Sequence, residues 1–207
     1  MTRAERGVLA AVVLVSVGLL LPLTVLVRDH WEPLRSADAD ALDQLALAHG
    51  ALREVVVGLT QLGAPLLLEA AALGGALLLR DRRRSAYLLV TVLGAELLSS
   101  LLKAAVDRAR PCLDLASCPA TSSYPSGHAT GAAAFWAAVA VLLVPRLGHR
   151  AWLLLVVPVV VALTRVLLGV HYPSDVLAGL VVGGCWAAAW TVLLAALRGR
   201  SVEDGLA

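Results

Sequence analysis

Six apolar runs, none carrying more than two charges, leave this chain few folds to choose from. Gly7 to Val27 is 21 residues without a charge, about 31 Å as a helix and long enough to cross a bilayer. Val55 to Leu79, Ser85 to Val106, Ala129 to Val144, Trp152 to Val170 and Val176 to Leu197 follow, with short connections. Backbone in hydrocarbon must satisfy its own polar groups, so spans of this kind are helices. The expectation is an all-α fold, a six-transmembrane-helix bundle forming a single integral membrane domain over residues 1–207. With 59% apolar and 15% charged residues, no soluble domain of any size fits beside it. A net charge of +2 gives no argument for nucleic acid as a partner. For the first run a cleaved signal peptide is the competing reading. Its core would be shorter and end at small residues, whereas this one runs into Val27-Arg28-Asp29-His30, which favours a retained span.

Positive charge orients the spans. With the N-terminus inside, the cytoplasmic segments hold ten of the 17 Lys and Arg, including R-D-R-R-R at 80–84, so the chain is expected N-in and C-in. Ser36 to Leu52 is too polar to cross. Leu42, Leu45, His49 and Leu52 recur there at helical spacing behind Asp38, Asp40 and Asp43, which predicts a short extracytoplasmic amphipathic helix. Cys185 lies in an apolar run, where it packs. Cys112 and Cys118 flank a short loop on the oxidising side, open to a disulfide or to two free thiols.

Three polar fragments interrupt this pattern: Lys103 to Pro111 (K-A-A-V-D-R-A-R-P), Pro125 to His128 (P-S-G-H) and Thr164 to Asp175 (T-R-V-L-L-G-V-H-Y-P-S-D). Under the orientation above all three fall at the outer ends of spans. Lys103 and Arg110 are two helical turns apart and share a face if the helix continues, with Pro111 ending it. Ser126 suits an N-cap, and Gly127 leaves the following N–H groups open to an anion. His171 and Asp175 are one turn apart. Taken singly, each fragment has an ordinary reading: a snorkelling cation, a plain helix cap, a helix-start pair. Jointly they bring cations, imidazoles and a carboxylate to one side of the membrane, an inventory suited to breaking a phosphate ester without a metal. Glu69 and Glu96 lie in mid-span, where ionisable groups are costly. Both are expected to be buried and hydrogen-bonded, with a supporting role open to Glu96.

Lys103 with Arg110-Pro111, then P-S-G-H, then Arg165, His171 and Asp175 at these spacings resemble the tripartite signature of the type-2 phosphatidic acid phosphatase superfamily, which also contains soluble vanadium haloperoxidases. The third motif usually opens Ser-Arg, and here it opens Thr164-Arg165. The resemblance implies six membrane helices and a metal-independent lipid phosphatase with no cofactor. His171 would be the nucleophile that becomes phosphohistidine, Asp175 its orienting carboxylate and His128 the general acid. Lys103, Arg110, Arg165, Ser126 and Gly127 would bind the phosphate oxygens. From the outer membrane face such a site reaches lipid phosphates or diphosphates: a polyprenyl diphosphate, phosphatidylglycerol phosphate or phosphatidic acid. A phosphotransferase using the same phosphohistidine is the enzymatic alternative. A transporter built on Glu69 and Glu96, or a scaffold without catalysis, would leave the motif cluster unexplained.

Overall fold

The computed structural model describes residues 3–46, 51–111 and 120–203, and among these every regular element is a helix. The order is α1 (Arg3–Arg28), α2 (Glu32–Leu45), α3 (Ala51–Thr60), α4 (Pro65–Leu78), α5 (Arg82–Val106), α6 (Gly127–Leu147), α7 (Val156–Leu167) and α8 (Pro173–Glu203). Four runs are long and apolar enough to cross a membrane: Arg6–Arg28, Arg82–Val106, Gly127–Leu167 taken through its 3₁₀ segment, and Pro173–Ala196. A bent pair, Ala51–Gly63 with Pro65–Leu78, makes a fifth.

That pair is the second expected span, and it is broken rather than straight. Ala64 precedes Pro65, whose ring drives the preceding residue out of the helical region. Ala64 accordingly sits at ψ 121° and Pro65 starts α4, so the two halves meet at 44° across a 3₁₀ turn at Gln61–Gly63. The fifth expected span also starts irregularly, as a 3₁₀ segment at Gly148–Leu155, and ends at Leu167. Ala129 near the start of α6 and Ala162 and Val166 near the end of α7 share one buried cluster, so α7 runs back along α6.

α5 begins where the Asp81 carboxylate accepts the N–H groups of Arg83 and Arg84, an N-cap of the usual kind. It stops at Val106 because Asp107 turns left-handed at φ 48°. Arg110 therefore does not continue the face of Lys103 as the spacing suggested. It reaches the site along a non-helical segment that ends well past the helix. The expected amphipathic helix is found as α2, shifted N-terminally to Glu32–Leu45, with Leu52 belonging to α3. Its buried residues are Leu42 and Asp38, not a purely apolar stripe. His49, Cys112 and Cys118 lie outside the described residues.

α6 is the axis of the bundle. Its first turns are buried on nearly every side and built of Gly127, Ala129, Thr130, Gly131 and Ala132 to Ala134, small enough for α8 to approach backbone to backbone. A Cβ on Gly179 would stand 2.7 Å from the Ser126 carbonyl, and one on Gly183 would stand 2.1 Å from the Thr130 carbonyl. Neither backbone can give way cheaply, so Gly183→Ala is expected to lower stability by about 1–3 kcal/mol through overpacking. Gly74→Ala, with open space around it, should be neutral or slightly stabilising in its helix. Thermal unfolding of the two variants in one detergent checks the contrast.

Candidate active site

One end of the bundle collects the C-terminal ends of α5 and α7 and the N-terminal ends of α6 and α8. Two non-helical segments, 107–111 and 120–126, lie between them. Lys103 leaves α5 three residues before its end and donates from Nζ to the carbonyls of Ser122 (3.1 Å) and Pro125. The lysine thus pins the loop that leads into α6.

His171 is 1% exposed and Asp175 is fully buried. Arg110 lays an N–H against His171 Nε2 at 2.7 Å. A guanidinium can only donate, so Nε2 accepts and the ring proton belongs to Nδ1. Nδ1 faces Asp175 Oδ2 at 3.6 Å and Ser123 Oγ at 3.3 Å. Ser123 in turn donates its hydroxyl to Asp175 Oδ2, so the carboxylate holds the ring both across a short gap and through this serine. The Tyr172 N–H donates to the same oxygen at 2.9 Å. Arg110 is kept in place by the Thr121 carbonyl (2.8 Å) and the Val170 carbonyl (3.2 Å).

Burial lowers the His171 imidazole to about 4, against the pull of Asp175 in the other direction. The ring is neutral at pH 7, with its Nε2 lone pair directed out of the Asp175 side. An unfolded histidine titrates near 6.5, so the unfolded chain binds this proton first as pH falls. The share of stability due to His171 is complete above about 6.5 and is lost as pH drops towards 4. The unfolding midpoint of the native protein should fall further between pH 7 and pH 5 than that of His171→Asn, measured in the same detergent.

Ser126 takes the N-cap position of α6 but does not cap it. Its N–H donates to the Asp175 carbonyl at 3.0 Å, and its Oγ is buried with no hydrogen-bond partner. The N–H groups of Gly127, His128 and Ala129 open the helix without an intrahelical acceptor. Arg165 is 8% exposed. One of its terminal N–H groups donates to Thr60 Oγ1 at 3.0 Å, and its Nε is unpartnered. The break after α3 is thus what brings Thr60 to the arginine. Gly63, in the same break, lies where a Cβ would stand 3.0 Å from the His128 carbonyl. The His128 ring has Arg165, His171, Arg110 and Lys103 as its electrostatic neighbours.

All eight residues singled out by the motifs are therefore drawn to one end of the fold. Sequence reasoning passed over Arg108, Asp38, Ser123, Ser174 and Thr60. Arg108 was visible in R-A-R, but counted only as an orienting charge. Asp38 was visible only as one of several carboxylates on α2. Glu69 and Glu96 differ from expectation. They are half-buried and make no hydrogen bond among the described residues. The Glu96 carboxylate instead lies along the side-chain-free strip of α6, 3.8 Å from where a Gly127 Cβ would be and 4.0 Å from that of Gly131.

The family model of the PAP2 superfamily matches residues 84–198, which carry every one of the eight motif residues. The chain belongs to the PAP2 superfamily. Among PAP2 relatives, it is 32% identical to phosphatidylglycerophosphatase B of Bacillus subtilis over 74% of this chain and 81% of that protein. It is 41% identical to a lipid A 1-phosphatase of Rhizobium etli over 54% of this chain and 49% of the relative, so it spans about half the length of that protein. The PAP2 fold is seen directly in the crystal structure of a transmembrane PAP2 type phosphatidylglycerolphosphate phosphatase from Bacillus subtilis. That structure superposes with a TM-score of 0.73 at 28% identity, covering 89% of this chain and 96% of the other.

Proposed function

We propose that this PAP2 protein is a metal-independent membrane phosphatase that removes phosphate from a lipid phosphate or diphosphate through a phosphohistidine on His171. The observation that carries the reading is the pairing at His171. A cation donates to Nε2 while Nδ1 is turned to a buried carboxylate, which supports Nε2 as the attacking atom with its lone pair free of a proton. Nε2 bonds to phosphorus as the ester P–O bond breaks, and His128 gives its proton to the departing oxygen. Lys103, Arg110 and Arg165, with the unpartnered Ser126 hydroxyl and the Gly127 N–H, take the non-bridging oxygens. Water then attacks phosphorus, the P–N bond breaks, His128 takes up a proton from the water, and inorganic phosphate leaves.

The topology that goes with this reading is six spans, N-in and C-in. It counts the bent α3–α4 pair as one span and α6 and α7 as two. The site then opens on the extracytoplasmic side of the cell membrane, opposite R-D-R-R-R at 80–84. Support comes from Val27 at the end of α1, which packs with Tyr124 at the site end. From there the site reaches the headgroups of outer-leaflet lipids. The names of the relatives favour phosphatidylglycerol phosphate as a substrate to try, beside the polyprenyl diphosphate and phosphatidic acid expected from the motifs. Phosphate release by detergent-purified protein in excess chelator, on each of these three, tests the proposal. Release lost in His171→Ala supports it. A requirement for added magnesium, or transfer to an alcohol with no free phosphate, would overturn it.

A further inference from the structure

α2 carries three aspartates, and two of them, Asp40 and Asp43, are exposed as expected of a surface helix. Asp38 is 3% exposed. Its Oδ1 accepts the Ser174 N–H at 3.0 Å. Its Oδ2 accepts the Ser174 hydroxyl and an N–H of Arg108 at 2.8 Å. The other terminal nitrogen of Arg108 donates to Asp175 Oδ1 at 2.7 Å and to Ser174 Oγ at 2.7 Å. The guanidinium lies 4.2 Å over the Tyr172 ring, and its backbone N–H is held by Ser122 Oγ at 3.0 Å. One guanidinium thus bridges two buried carboxylates, and one of them is the carboxylate that orients His171.

Through the Ser174 N–H, Asp38 satisfies a free donor in the first turn of α8, and its pairing with Arg108 offsets the cost of its burial. The charges give a further account. Asp175 paired with Arg108 alone would be a neutral unit and a poor partner for a histidine that must become cationic. Asp38 on the far side of Arg108 restores one negative charge. Lys103, Arg108, Arg110 and Arg165 against Asp38 and Asp175 then leave a formal +2, which matches a phosphate dianion.

We propose that Asp38 and Arg108 are positioning residues for the phosphoryl transfer at His171, with Arg108 aiming Asp175 and Asp38 preserving its negative charge. This rests on the reading of His171 as nucleophile. The groups facing His171 are Arg110 from the segment after α5, His128 from α6, Arg165 from α7 and Asp175 from α8, with Lys103 of α5 acting on Arg110, Asp175 and His128, and the Asp38–Arg108 pair is the only part reached from α2 among the described residues.

Two substitutions of opposite sign separate this from a purely structural role. Asp38→Asn removes a negative charge, so protonation of His171 should move to lower pH. Arg108→Gln removes a positive one, so it should move to higher pH. Each shift should be about half a pH unit or more. The measurement is the histidine NMR titration in detergent from about pH 2.5 to about pH 8, with the His171 signal assigned by its loss in His171→Asn. It is accompanied by kcat and KM for phosphatidylglycerol phosphate. Ratios of variant to native cancel the ionisation of the substrate itself. For Asp38→Asn, kcat should fall about tenfold or more with KM within about threefold, a loss confined to the transition state. Asp43→Asn on the exposed face of α2 should leave both unchanged. Shifts in the same direction, or no shift with kcat intact, overturn the proposal. If Arg108→Gln does not accumulate, the near-isosteric Asp38→Asn decides alone, and absence of its downward shift is fatal. Native protein that releases no phosphate would overturn the phosphatase reading instead, while the titration still reports on the network.

Discussion

His171→Ala is expected to abolish phosphate release, by about 10³-fold or more, with the protein still folded and still binding lipid phosphate. The His171 imidazole has an Nε2 lone pair that is unprotonated at pH 7 and held against a guanidinium at a cation-lined site. The cations that would hold the phosphate, Lys103, Arg110 and Arg165, are anchored by the carbonyls of Ser122, Pro125 and Thr121 and by the Thr60 hydroxyl. Arg110 keeps its Thr121 and Val170 partners without the ring. The loss should therefore appear in kcat, with KM little changed, the pattern of an interaction made in the transition state. Phosphate release and substrate binding measured on the same preparation check it. Retention of near-native kcat would remove His171 from the mechanism.

His128→Ala should hurt unevenly. A general acid contributes about 10²–10⁴-fold when the leaving oxygen is a poor one and little when it is already a good one. A lipid alcohol is a poor leaving group and a nitrophenolate a good one. The variant is thus expected to lose about 10²-fold or more on phosphatidylglycerol phosphate and about tenfold or less on a nitrophenyl phosphate. The geometry that motivates this is the position of His128 at the open start of α6, within the electrostatic reach of Arg165 and His171 and with its backbone seated against Gly63. Equal losses on both substrates would mean that the ring serves binding or structure.

The apolar runs and the three fragments were legible because each is local. Hydrophobic length marks a span, and a fragment such as P-S-G-H marks where a span starts. What the sequence left hidden is what depends on tertiary contact. Ser126 reads as a cap, yet its hydroxyl is unpaired, because the Asp175 carbonyl already draws its backbone N–H into the α8 turn. Arg110 reads as the helical partner of Lys103, yet a left-handed Asp107 ends the helix between them. Asp38 looks like any carboxylate of a polar helix face, and 70 residues separate it from Arg108. No periodicity or spacing could join those two. The break at Ala64-Pro65 was visible as a proline inside an apolar run, but its use was not. It delivers Thr60 to Arg165 and Gly63 to His128.

The pose of Arg110 bears on a hazard peculiar to an enzyme immersed in phosphorus esters. Its N–H occupies the Nε2 lone pair at 2.7 Å, so the histidine is masked until something gives that guanidinium a better acceptor. A phosphate end carrying two negative charges can do so. The diester of an ordinary phospholipid, with one charge spread over two oxygens and a carbon chain on either side, is a much weaker competitor. With His171 as the proposed nucleophile, restraint towards the surrounding bilayer is thereby built into the attacking group. Such a catalyst can sit among a large excess of unreactive lipid without consuming its own solvent.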